Sequence, residues 1–129
     1  LRSRGLGDVY KRQALEVLNQ SLLLEKEKEL SNYLKHELEK LSNIKIFLPK
    51  EERDHVGIFS ITVDEYLADD VGTILDEEFD LAVRTGYHCA PWIHEYLGDI
   101  QMKGTVRISL GQFNTREDID KLVEALKTL

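Results

Sequence analysis

One thiol dominates the chemistry open to this sequence. Cys89 is its only cysteine; it follows Gly86, Tyr87 and His88, with Arg84 five residues upstream. A structural cysteine is usually a small buried hydrophobe. A reactive one needs exposure and nearby positive charge, because the thiolate is the nucleophile. A loop position beside His88 and Arg84 suits the second case. Adjacent loop residues need not point the same way, so spacing alone does not make His88 a base for Cys89. His94 lies five residues after Cys89. Cys89, His88 and His94 lack a fourth ligand at a familiar metal spacing, and no metal site is assigned.

Arg107 falls in the middle of a stretch that alternates apolar and polar residues, on the polar side. It is either a surface arginine pairing with a cross-strand acid or a bidentate clamp for a carboxylate, which guanidinium geometry suits. His36 and His55 read as solvated residues on a helix and a turn. The acidic runs at 25–29 and 76–78 read as solvated helix faces. No glycine-rich phosphate loop, paired-carboxylate site or serine nucleophile motif stands out.

These residues need a frame. Residues 14–43 read as a long helix, with Leu15, Leu18, Leu22, Leu30, Leu34, Leu38 and Leu41 at spacings of three and four. A short strand over 44–48 ends at Pro49, and a charged turn follows. Residues 56–63 alternate: Phe59, Ile61 and Val63 share one face, Ser60 and Thr62 the other. A second helix is expected from Asp64 or Glu65 to about Glu78, with Leu67, Val71, Ile74 and Leu75 on one side. A third strand is expected over 80–85, with Leu81 and Val83 on one face and Ala82 and Arg84 on the other. Pro91 opens a short helix to Leu97, and 98–104 reads as a mobile connection. A fourth strand over 105–110 turns Val106, Ile108 and Leu110 inward and Thr105, Arg107 and Ser109 outward. Asn114 or Thr115 caps a last helix striped with Ile119, Leu122, Val123 and Leu126, and Asp118 sits where a capping box needs it.

The order of elements predicts an α+β fold: a two-layer small domain, mostly antiparallel, with helices on one face of the sheet. The helices can cover only the apolar side. The side with Ser60, Thr62, Arg84, Arg107 and Ser109 is left for solvent, a ligand or another domain.

Composition narrows the function classes. The chain has 129 residues, enough for one modest core, and a formal charge of −7. That charge argues against nucleic acid and an anionic membrane surface as partners. No apolar run approaches the 18 or so residues of a membrane helix. A single cysteine excludes an intrachain disulfide framework. Residues 1–13 carry four bases and one acid, against the acidic remainder, and no apolar signal core follows them. They read as an artefactual or disordered tail, and 14–129 as the domain.

The stretch AVRTGYHCAP, followed by GTVRISLGQFNT and a closing amphipathic helix, resembles the C-terminal domain of cysteine desulfurases. These are fold-type I pyridoxal-phosphate enzymes of the class V aminotransferase group, and the loop resembles that of the short-cysteine-loop subgroup. The resemblance covers roughly 14–129 and implies that Cys89 accepts sulfur as a persulfide and that Arg107 holds the substrate carboxylate. Arg84 and His88 correspond to the arginine and second histidine of the loop motif.

Three departures stand beside the resemblance. Tyr87 replaces the first histidine of the pair, the stretch 97–103 looks slightly longer, and the large domain with its cofactor lysine is missing. The resemblance therefore implies a fragment, inactive alone, of an enzyme that takes sulfur from L-cysteine and leaves alanine. The pyridoxal 5'-phosphate is expected on the missing large domain. The intact enzyme is expected to be a cytoplasmic homodimer that passes sulfur to an acceptor protein, as in iron–sulfur cluster assembly. Two other readings stay open: a class V aminotransferase-like or selenocysteine lyase-like fragment, and a standalone binding domain that uses the free sheet face.

Overall fold

The computed structural model describes residues 11–13, 15–16, 22–49, 51, 55–98 and 100–129, with residues 22 and 23 described by backbone alone. The tail reading over 1–10 and the expected helix at 14 and 17–21 lie outside the described residues. Helix α1 spans Leu22–Leu38. Its long run of strong helix formers has no glycine or proline. Leu30, Leu34 and Leu38 recur every four residues and are all buried, which is worth roughly 2 kcal/mol for each side chain. Leu15, expected on the same stripe, is exposed.

Strand β1, Ile44–Phe47, and strand β2, Ile58–Val63, pair antiparallel. Helix α2, Ala68–Phe79, leads to strand β3, Arg84–Gly86. Helix α3, Pro91–Leu97, has proline in its first turn, as expected. A 3-10 turn, Ile100–Met102, precedes strand β4, Thr105–Ser109, and helix α4, Arg116–Leu126, closes the chain. The sheet runs in the order β1-β2-β4-β3 with every pair antiparallel. This is the expected α+β arrangement.

The core lies on one face of the sheet. Phe59, Ile61 and Val63 of β2 and Val106 and Ile108 of β4 meet Leu34 and Leu38 of α1, Val71 and Leu75 of α2, and Ile119, Val123 and Leu126 of α4. Period-two burial along the central strands follows from the pleat. Helix α4 begins with a complete capping box: Thr115 Oγ1 accepts from the Asp118 amide, and the Asp118 carboxylate accepts from the Thr115 amide. That carboxylate is held below the ordinary range, chiefly by the Thr115 backbone bond and then by Asn114.

Several boundaries differ from the sequence reading. Helix α2 starts at Ala68, because Glu65 takes a positive φ and the chain turns through Tyr66 first. It then runs to Phe79 and ends with Asp80 in the left-handed conformation and the Leu81 amide returning to the Leu75 carbonyl. The third strand therefore begins at Arg84, not Asp80. The connection after α3 contains the 3-10 turn. His55 is only partly solvated: its Nδ1 meets Ser31 Oγ at 3.3 Å and its ring packs edge-on against Phe59. Among the described residues no helix is long and apolar enough to cross a membrane.

Helix α3 is packed inside out. Its buried residue is His94, while Trp92, Ile93 and Tyr96 face outward. The base of β4 is equally unusual. Gly104 has a φ of 103°, and a Cβ there would collide with the Gly86 backbone carbonyl. A close backbone approach thus ties the end of β3 to the start of β4. Gly104→Ala is expected to destabilise the domain by about 2–4 kcal/mol, combining backbone strain with a collision that no side-chain rotation relieves. Denaturant unfolding followed by far-UV circular dichroism measures this, with an unchanged m-value expected.

Candidate active site

The site is built on the sheet face that the helices leave open. Register places Phe47 opposite Ser60, Ser60 opposite Arg107, and Arg107 opposite Arg84. Directly opposed residues share a face with Cβ atoms about 5 Å apart. The row therefore ends in two arginines side by side. Like charges in that position repel, and Arg107's cross-strand neighbours are Ser60 and Arg84, not an acid. Among the described residues neither guanidinium has an ion pair with a carboxylate. Arg107 is half-buried, and its Nε is enclosed without a partner. An acidic protein thus holds a local cationic site with unused donors, which suits a planar anion such as a carboxylate.

Beyond β3 the chain turns back on itself. The Ala90 amide donates to the Tyr87 carbonyl at 2.8 Å. Between them His88 and Cys89 both have positive φ, 50° and 64°. Two positive φ values at the central positions are the signature of a type I′ turn, which normally selects asparagine and glycine. Left-handed backbone costs an L-residue roughly 1–2 kcal/mol. Contacts around the turn offset this at about 1 kcal/mol net per ordinary hydrogen bond. His88 Nε2 lies 3.2 Å from the Thr105 carbonyl and 3.1 Å from Thr105 Oγ1. A carbonyl can only accept, so Nε2 carries the proton. His94 Nε2 likewise donates to the Tyr87 carbonyl at 3.1 Å. Arg84 Nη2 donates to Cys89 Sγ at 3.8 Å.

The turn brings Cys89, His88, Arg84 and Arg107 together. Cys89 is exposed, and its sulfur touches the arginine that faces Arg107 across the strands. His88 points the other way. It bonds to Thr105 at the base of β4, and its Nδ1 is enclosed with no partner. The His88 pKa is lowered by burial first, then by the Arg107 charge, with the Thr105 carbonyl opposing. His88 is therefore neutral at pH 7, a fixed N–H donor with a bare Nδ1. Thr105, expected to face outward, is buried because His88 covers it. Thr62, one residue past the Ile61–Val106 pair, is buried as well.

Sequence reasoning passed over Thr105 and the role of His94. Both sit where period or spacing signals a plain strand or helix. The signal available for His94 was a histidine on a helix whose aromatic residues occupy the opposite side.

Comparisons with known proteins place the chain in a family. The family model for Aminotransferase class-V matches residues 10–122. A probable cysteine desulfurase from Staphylococcus epidermidis is 34% identical over 113 residues, covering 88% of this chain and 26% of that protein. A cysteine desulfurase from Cronobacter sakazakii is 34% identical over 100 residues, covering 78% of this chain and 23% of that protein. The apo cysteine desulfurase structure from Thermococcus onnurineus NA1 superimposes with a TM-score of 0.77 at 27% identity, covering 91% of this chain and 29% of that one. The chain thus spans about a quarter of the length of the curated relatives it matches.

A depressed histidine pKa links the site to stability. The unfolded chain protonates His88 near pH 6.5, whereas the folded chain resists protonation to a lower pH. Between those two values the unfolded state binds more protons, so stability is present above about pH 6.5 and is lost as pH falls through this window. Urea unfolding at pH 7.5, 6.5 and 5.5 is expected to show declining stability. His88→Gln, which keeps an N–H donor but does not titrate, is expected to flatten that decline.

Proposed function

Since this chain belongs to the class-V aminotransferase family, we propose that it is the thiol-bearing small domain of a cysteine desulfurase. The observation that carries this reading is the exposed Cys89 sulfur in contact with Arg84, whose cross-strand neighbour is the unpaired Arg107. In this reading Arg107 grips the carboxylate of L-cysteine and fixes the amino acid so that its sulfur reaches Cys89, a positioning contribution. The reaction joins Cys89 Sγ to the substrate sulfur as the substrate Cβ–S bond breaks. Cβ gains a proton, so L-cysteine and the Cys89 thiol become alanine and a Cys89 persulfide. Arg84 keeps a donor on the sulfur throughout. The persulfide then passes to an acceptor protein, and the whole enzyme works as a homodimer.

Pyridoxal 5'-phosphate supplies this family's electron sink for the bond that breaks. The described residues do not form a complete site for it. Among them Lys26 Nζ donates to the Gln112 carbonyl, and Lys40 and Lys127 pair with Glu37 and Glu124, none of them a residue of this site. The one lysine on the same sheet face within β1, Lys45, lies over the Phe47 ring with its Nζ 4.7 Å from the centroid. The parts of the relatives that this chain does not match are the natural place for the cofactor, and the chain by itself is inactive.

Two measurements test the reading. Incubated with pyridoxal phosphate and L-cysteine, the 129-residue chain is expected to release no alanine; turnover would contradict the proposed division of labour. The cationic pair is tested by the rate of iodoacetate relative to iodoacetamide at Cys89, the only thiol. Arg107→Gln removes one charge from a solvated site and is expected to lower that ratio about threefold at low salt. An unchanged ratio would separate Arg107 from the thiol's ligand space.

A further inference from the structure

We propose that His94 is the positioning residue that holds the Cys89 turn in its reactive shape. This deepens the reading of Cys89 as the reactive thiol and rests on it. His94 is the buried side chain of α3, at 3% exposure, on a helix whose Trp92, Ile93 and Tyr96 all face outward. A polar side chain has displaced three apolar ones from the interior, so its burial answers a polar need. One group it serves is the Tyr87 carbonyl. It takes the Ala90 amide at 2.8 Å and His94 Nε2 at 3.1 Å, which occupies both of its lone pairs.

The Tyr87 carbonyl is the first group of a turn whose two central residues, His88 and Cys89, are L-residues in the left-handed region. The Ala90 amide is an ordinary turn bond. The bond from His94 is added from outside the turn and anchors its first residue to a helix. The ring is placed to do this: it meets Tyr87 edge-on at 5.3 Å and stands 6.2 Å from His88. The helix is fixed at the same residue, because the Gly98 amide closes on the His94 carbonyl at 3.0 Å. Released from His94, the turn is expected to relax His88 and Cys89 to negative φ and carry Sγ away from Arg84.

The test uses His94→Leu, which fills the space without a donor, and His94→Gln, which restores an N–H, both in the full chain. His94→Leu is expected to speed hydrogen exchange of the Ala90 amide about fivefold, the equivalent of one ordinary hydrogen bond, while β4 amides keep their protection. The iodoacetate-to-iodoacetamide ratio at Cys89 is expected to fall with it. His94→Gln is expected to recover most of both. Wild-type values in His94→Leu, or a His94→Gln protein no better than His94→Leu with β4 still protected, would overturn the proposal. If His94→Leu does not fold, long-range nitrogen–proton NMR of the wild type decides: Nε2 of His94 must carry a proton, and a bare Nε2 would overturn the assignment. Alkylation needs neither cofactor nor cysteine turnover, so the desulfurase reading can fail while this one stands, and the reverse.

Discussion

Two guanidinium groups opposite each other on neighbouring strands impose the governing constraint on this domain. Their repulsion must be absorbed by a frame stiff enough to keep them facing. The sheet provides it. Arg107 sits on β4, an inner strand whose alternate residues are buried in the core. Arg84 sits on β3, a three-residue edge strand. That edge is braced from the helix side, where Thr85 Oγ1 donates to the Asp69 carboxylate at 2.6 Å and α2 approaches closely at Gly72. The strand too short to hold itself is held by its one inward-facing residue.

The turn that follows β3 has less freedom than its loop assignment suggests. It must leave the sheet edge at Gly86, present a sulfur to Arg84, and send the His88 ring back over Thr105. Those demands conflict with the preferences of two L-residues, and the surrounding side chains settle the conflict. Exposure of the sulfur and half-burial of the histidine beside it are two results of one backbone shape. The left-handed φ values at 88 and 89 point consecutive side chains to opposite fates.

The fold was legible where period and burial coincide. The alternation through Phe59, Ile61 and Val63, the stripe at Ile119, Leu122, Val123 and Leu126, and the Thr115 cap are local patterns whose outcomes are local. The start of α2 and the length of β3 were not. Glu65 and Asp80 adopt left-handed backbone, which side-chain periodicity does not report. The cluster of Cys89, Arg84, His88 and Arg107 was readable as a set through a family resemblance and through the polar side of two strands. Its internal arrangement was not, because the pairing of Arg84 with Arg107 depends on strand order, and strand order is a property of the whole sheet. His94 escaped because a lone histidine on a short helix has no periodic signature.

The backbone contact between Gly104 and Gly86 has a mechanical consequence. It pins the roots of the excursion that contains α3 and the 3-10 turn, so the strands beneath do not sense that excursion's length. Insertions or deletions between Leu97 and Lys103 can lengthen or trim the outer rim of the domain without moving β3 or β4. The facing of Arg84 and Arg107 is thus insulated from whatever that rim presents.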